Sequence, residues 1–88
     1  MYPIINNKGN VMSMKELDKF EYKQSRVILH AVDDEYVVST AQRIRLDVVL
    51  RSTTTHKDYQ DALDKFNAHR ATIRQHRRCA GATLEVRR

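Results

Sequence analysis

Residues 43–51 read Arg-Ile-Arg-Leu-Asp-Val-Val-Leu-Arg, and this stretch decides which class of fold the sequence predicts. Its apolar residues alternate with mostly charged ones and are Ile44, Leu46, Val48 and Leu50. Because side chains in a strand have a period of two, these four share one face, and Arg43, Arg45 and Arg51 share the other. The pattern is typical of an antiparallel sheet that is buried on one side.

The segments before this strand are rich in β-branched residues. Residues 26–32 and 36–40 are predicted as strands, with a turn at Asp33 and Asp34 between them. The region also fits a helical period, so both strand and helix stay open for residues 26–42. The alternating stretch that follows favours strands.

The N-terminal part predicts one more strand and a first helix. Residues 2–5 are apolar, as in an edge strand, and residues 6–10 have the composition of a turn. Ser13 and Glu16 fit a capping box, and apolar residues follow at helical spacing. This pattern predicts a helix over residues 14–24.

A long helix is predicted after the alternating strand. Residues 52–55 end the strand and offer N-caps, and the helix runs over residues 56–79, closed by Gly81. The apolar stripe predicted to pack on the sheet consists of Tyr59, Ala62, Leu63, Phe66 and Ile73. Residues 83–86 are a last strand or an ordered tail.

These elements predict a single small α+β domain. The chain has 88 residues, which is room for one domain only. The predicted order is β-α-β-β-β-α, with two helices packed on one face of a mainly antiparallel sheet. Residues 1–80 form this domain, and residues 81–88 are a basic tail or the final strand.

The net charge of +5 is concentrated in the second half of the chain. Residues 1–44 carry six basic and six acidic side chains, whereas residues 45–88 carry ten and five. In the long helix, the face that is apolar at its start becomes basic at Arg70, Arg74, Arg77 and Arg78. A solvated helix end is the simplest interpretation, but a helix that projects past its sheet to bind phosphates explains the change better.

The predicted nucleic-acid site joins this helix face to the arginines of the strand. Its residues are Arg70, Arg74, Arg77, Arg78, His69, His76, Arg43, Arg45 and Arg51. The four histidines have no metal-ligand spacing, and two glycines cannot build a phosphate loop. We therefore predict no enzyme, no metal, no cofactor and no small-molecule substrate.

The cysteine count and the hydropathy bear on location. Cys79 is the only cysteine and cannot form an internal disulfide, which favours a reducing compartment. No apolar run approaches the ~20 residues of a membrane span. The sequence therefore predicts a cytoplasmic protein without a membrane partner.

Four pieces of the sequence, spread over residues 3–78, follow a known order of elements. They are residues 8–11 with 13–17, residues 36–50 with a turn near Ala41-Gln42, Asp58-Tyr59 with Ala62, and His69-Arg70 with Ile73-Arg74-Gln75-His76. In these pieces the chain resembles the short ribosome hibernation factors, also called ribosome-associated inhibitors. The resemblance implies a strand-helix-three-strand-helix fold.

The resemblance also implies a function, which is to bind the small ribosomal subunit near the decoding centre and block messenger and transfer RNA. Arg70, Arg74, Arg77 and Arg78 would contact phosphates of ribosomal RNA, with His69 and His76 beside them. RNA helices are bound mainly through shape and backbone, which requires basic residues. The expected partner is ribosomal RNA or another polyanion.

The alternative function is a protein–protein interaction module, such as a phage-type host inhibitor or a self-assembling virion component. A sheet edge and residues 84–86 would pair with a strand of a neighbouring molecule. The partner would then be another protein or a second copy of this chain.

Overall fold

A computed structural model describes residues 4–5, 11–12 and 14–86 of the chain. Its elements are β1 (Ile4–Ile5), β2 (Val11–Met12), β3 (Met14–Tyr22), β4 (Ser25–Val32), β5 (Glu35–Arg45), β6 (Val48–His56), α1 (Tyr59–Arg74) and β7 (Thr83–Val86). β1 and β2 pair with each other, and the other strands form a five-stranded sheet in the order β3-β4-β5-β6-β7. All neighbouring strands are antiparallel, and α1 packs on one face of the larger sheet.

The predicted two-helix order β-α-β-β-β-α is wrong, because residues 14–24 form β3 and the turn after it rather than a helix. Phe20, at the middle of this segment, pairs with Val27 and packs against the core. Burying Phe20 against the core and pairing with the apolar strand β4 outweigh the weak local preference for helix. The charged residues of β3 remain exposed, as is common for an edge strand.

The prediction of a single strand over residues 43–51 is also wrong, because a turn at Leu46 and Asp47 divides this stretch between β5 and β6. Leu46 is 90% exposed, although its period placed it in the core. A period of two describes both arms of a hairpin equally well, so alternation does not reveal the turn between them. Ala41 and Gln42, where the resemblance implied a turn, lie inside β5.

The other strand predictions are confirmed. Residues 26–32 and 36–40 lie in β4 and β5, with the turn at Asp33 and Asp34, so the helical alternative for this region is wrong. Residues 83–86 form β7, which pairs with the first half of β6. Ile4–Ile5 is a strand, whereas the predicted turn over residues 6–10 lies outside the described residues.

The helix is shorter at both ends than predicted. Asp58 is its N-cap, and the Asp58 Oδ1 accepts a hydrogen bond from the Gln60 amide at 3.3 Å. The helix begins later than predicted because residues 52–55 belong to β6. At the other end the amide of Arg77 donates to the Thr72 carbonyl at 3.0 Å, and that of His76 donates to Ile73 at 3.0 Å. These bonds form a Schellman motif with His76 in the left-handed conformation at φ 58°, which stops the helix well before Gly81.

The core lies between the helix and one face of the sheet. Its fully buried members from the two layers are Val27, Leu29 and Val38 of the strands, Ala62, Phe66 and Ile73 of the helix, and Cys79 after it. Of the predicted stripe, Tyr59 is the exception, since it is exposed and contacts Tyr36 edge-on with ring centroids 5.4 Å apart.

We call the side of the sheet that faces away from α1 the open face. In the described part of the chain, no helix has the length and apolarity of a membrane span.

Candidate nucleic-acid interface

Basic side chains from three separate segments meet at one end of the sheet. Ser25 pairs with Gln42 across β4 and β5, which brings the β3–β4 turn beside the end of β5. After α1 the chain turns at Gln75 and His76, and the segment that follows lies at the same end of the sheet. We call this region the basic end, and its cations are Lys23, Arg26, Arg43, Arg45, Arg77 and Arg78.

The first concavity of the basic end, the helix-side groove, lies between the β3–β4 turn and the end of α1. It has a volume of about 370 Å³. Tyr22 and His76 line it, with their ring centroids 5.2 Å apart in an edge contact, and Ile44 and Ile73 contribute apolar surface. Its cationic residues are Lys23, Arg43, Arg77 and Arg78. The groove therefore combines apolar and aromatic surface with positive charge.

The second concavity, the open-face groove, lies on the other side of the same sheet end and has a volume of about 360 Å³. Arg26, Arg43 and Arg51 line it, together with Glu21. The Arg51 Nε lies 3.0 Å from a carboxylate oxygen of Glu85 on β7, which neutralises part of its charge. Since Arg43 and Lys23 border both grooves, the basic surface continues around the sheet end.

A buried glutamine holds the segment after α1 against the sheet. The Gln42 Oε1 accepts a hydrogen bond from the Cys79 amide at 2.8 Å, and its Nε2 donates to the Arg77 carbonyl at 2.9 Å. Gln42 lies inside β5, so its position is determined by the sheet. These two bonds therefore set where Arg77 and Arg78 emerge.

The structure brings together only part of the predicted site. His76, Arg77, Arg78 and Arg43 line the helix-side groove. Arg74 ends α1 and Arg45 ends β5 nearby, both exposed, and Arg51 lies on the open face.

Two members of the predicted site do not join this surface. Arg70 lies over the Phe20 ring, with its guanidinium carbon 5.2 Å from the ring centroid. His69 is only 3% exposed and faces the core, so it is not placed to contact phosphates. The helix does not project past its sheet, because Ile73 is still buried there one residue before the helix ends.

The two buried titratable groups of the helix layer are held in their neutral forms. Burial lowers the pKa of His69, and the positive charge of Lys65 lowers it further. Burial raises the pKa of the Cys79 thiol, against smaller opposing effects of a hydrogen bond with Thr40 and of Lys65. At neutral pH the thiol is therefore protonated, which is its unreactive form.

Sequence reasoning missed Lys23, Arg26, Tyr22 and Gln42. The first three were assigned to a predicted helix and the start of a strand, so the turn between β3 and β4 was not recognised. Tyr22-Lys23-Gln24-Ser25 carries no glycine or asparagine to signal a hairpin, although Lys23 adopts φ 55° there. No sequence signal singled out Gln42, because its role depends on contacts with residues 35 and more positions away.

Within the residues that the structure describes, no group of three or more His, Cys, Asp or Glu side chains is placed to hold a metal ion. Comparisons with models of protein families, with curated proteins and with solved structures gave no match.

Proposed function

We propose that this protein binds RNA, without catalysis, through its basic end. The observation that carries the proposal is the convergence of Lys23, Arg43 and Arg77, from three segments distant in sequence, around two adjacent grooves. Cations that only keep a protein soluble need not be clustered, whereas cations that bind a polyanion must lie close together. A cytoplasmic location and an action on ribosomal RNA belong to the same proposal.

The distribution of charge over the molecule supports this proposal. Acidic side chains collect at the opposite end of the sheet, at the β4–β5 turn and the start of α1, and they are Asp33, Asp34, Glu35, Asp58 and Asp61. A polyanion is attracted to one end and repelled from the other, so it approaches in one orientation. Each phosphate that is neutralised releases counterions, which makes binding dependent on salt.

The resemblance to ribosome hibernation factors contributes less to this proposal than the surface does. The two-helix fold that it implies is not the fold observed. Binding to the small ribosomal subunit and inhibition of translation therefore rest on the basic end alone, as one RNA target among those that such a surface fits.

The proposal is tested by reversing charge at the basic end. Arg43→Glu combined with Arg77→Glu should weaken binding to a fluorescein-labelled RNA by at least about ten-fold in low salt, because phosphates would meet negative charge. Wild-type affinity should itself fall steeply as salt is raised. Fluorescence anisotropy measures both effects, and co-sedimentation with small ribosomal subunits tests the ribosomal target.

Lys15→Glu combined with Lys57→Glu is the matched control, because it makes the same change in net charge at the acidic end of the molecule. Both residues are exposed, so the control should fold normally and keep nearly full affinity. If wild-type protein binds no RNA at low salt, or if the control loses as much affinity as the basic-end variant, the proposal is wrong.

The second candidate function is self-association or binding of a protein partner through a sheet edge. β7 is the outer strand of the five-stranded sheet, and its Leu84 is 65% exposed. An exposed edge with apolar side chains is a template for pairing with another strand.

Light scattering distinguishes this candidate. A salt-insensitive oligomer that Leu84→Lys converts to a monomer would support it, whereas Tyr59→Lys, which alters an exposed side chain at the start of α1, should have no effect. A monomer at every concentration, with no captured protein partner, would eliminate it.

A further inference from the structure

We infer that the helix-side groove receives an unpaired base, so that the preferred ligand of the basic end is single-stranded rather than double-helical RNA. This inference rests on the proposed function and specifies its ligand. It depends on features of the groove that binding to a phosphate backbone alone does not require: an aromatic ring, apolar surface and a concave shape.

Tyr22 is the central aromatic side chain of the groove. The residue is 37% exposed, and it contacts His76 edge-on, with its hydroxyl oxygen 3.4 Å from the His76 Nε2. The Lys23 ammonium lies 5.7 Å from the centroid of the same ring. A cation next to an exposed aromatic ring matches a nucleotide, whose base stacks on the ring while its phosphate meets the charge.

The apolar surface of the groove points to the same ligand. Ile44 occupies the bulge of β5 and is 37% exposed there, and the buried Ile73 lies at the end of α1. Double-helical RNA presents phosphates, ribose hydroxyls and base edges, whereas the apolar faces of its bases are stacked inside the helix and cannot cover such a surface. An unstacked base can cover it.

The backbone at the groove is held in an unusual conformation. Among the described residues, three that are not glycine have positive φ angles, and two of them, Lys23 and His76, line this groove. A left-handed conformation is unfavourable at a residue with a Cβ, and such positions concentrate at functional sites. Here both residues contact the ring of Tyr22.

The test compares a ten-nucleotide oligouridine with a blunt-ended RNA duplex of ten base pairs, each labelled with fluorescein and measured by anisotropy at the same salt concentration. Wild-type protein should bind the single strand about ten-fold more tightly. Tyr22→Leu should remove most of that preference, since stacking of one base contributes about 1–3 kcal/mol, or roughly five- to more than one hundred-fold. The affinity of this variant for the duplex should not change.

Matched variants separate stacking from general damage. Tyr22→Phe should retain the preference, and Tyr59→Leu, which changes an exposed tyrosine at the opposite end, should also retain it. A second pair avoids the tyrosine altogether. Ile44→Glu should weaken single-strand binding, whereas Leu46→Glu introduces the same charge two residues away, outside the groove, and should weaken it much less.

The outcomes distinguish this inference from the proposed function. If the protein binds both RNAs equally and neither Tyr22→Leu nor Ile44→Glu changes their ratio, the inference is wrong, although RNA binding stands. If neither RNA binds at low salt, the proposed function itself fails. Circular dichroism of each variant shows whether it is folded. If Tyr22→Leu does not fold, the comparison of Ile44→Glu with Leu46→Glu decides whether the groove binds an unpaired base.

Discussion

His69 is the residue whose role changed most between sequence and structure. Its place among the helix arginines predicted a contact with phosphates, but α1 turns it towards the sheet and leaves it 3% exposed. Among the described residues, its Nε2 has no hydrogen-bond partner. Burial of the ring, together with the positive charge of Lys65, favours its neutral form and lowers its pKa.

We expect the stability of the protein to depend on pH through this residue. When the chain unfolds, the His69 pKa returns to its ordinary value of 6.5, so the unfolded chain binds a proton that the folded protein excludes. The contribution of His69 is therefore complete above pH 6.5 and falls below it by up to about 1.4 kcal/mol per pH unit, until the folded ring is protonated as well.

Thermal melts between pH 7.5 and 5 measure this effect. His69→Leu should have a smaller loss of stability on acidification than wild type, whatever its stability at pH 7.5, because the buried titrating group is gone. His30→Gln is the control, since that histidine lies on a strand and is only partly buried. Equal acid dependence in wild type and His69→Leu would contradict the assignment.

At the scale of elements, the connection between β5 and the segment after α1 determines the shape of the candidate site. The side chain of Gln42 bonds both Arg77 and Cys79, and through these bonds the sheet helps to position the arginines after the helix. The Schellman motif at His76 starts this segment in the required direction. The predicted continuous helix to residue 79 would have placed Arg77 and Arg78 elsewhere.

Gln42→Leu should therefore affect both stability and binding. The Cys79 amide and the Arg77 carbonyl lose their partner, at a cost of about 1–3 kcal/mol for each group left buried and unpaired. Chemical denaturation measures the loss of stability, and hydrogen exchange should accelerate at the Cys79 amide. RNA affinity should fall as well, because Arg77 and Arg78 would no longer be held beside Arg43.

Ser52→Ala provides the comparison for this variant. It removes the buried hydroxyl that bonds Thr40 on the same face of the sheet, and it leaves in place both bonds from Gln42 to the segment after the helix. Its RNA affinity should match that of wild type even if its stability falls. Normal RNA binding by Gln42→Leu would show that the position of Arg77 and Arg78 does not depend on this glutamine.

The elements also show where sequence reasoning succeeded and where it failed. Residues 26–32 and 36–40 were predicted correctly because β-branched residues fit a pleated, half-buried surface. Residues 14–24 were predicted incorrectly, because capping and spacing signals reflect only neighbouring residues. They do not show that β4 needs a strand to pair with. The turn at Leu46 and Asp47 was missed for a related reason, since alternation continues across it.

At the scale of the whole molecule, the sequence located the positive charge in the second half of the chain, whereas the structure locates it at one end of the sheet. Lys23, Arg26 and Arg43 come from the half that is neutral overall and meet through strand pairing, and the segment after α1 brings Arg77 beside them. The acidic turn at Asp33 and Asp34 lies at the far end of β5, an 11-residue strand of about 36 Å. The folded protein therefore has two ends of opposite charge that no linear window of the sequence contains.

The sequence by itself determined that this is one small basic domain with an antiparallel sheet, most of its strands, one packing helix and an excess of arginine near its C-terminus. These properties follow from composition and short-range periodicity, which act between neighbouring residues. The tertiary structure decided that β3 is a strand, that His69 is buried, and that Lys23, Tyr22 and Gln42 belong to the site. Those outcomes depend on which distant segments pair and pack together. A local sequence pattern does not show the energies of these pairings, because they arise between residues far apart in the chain.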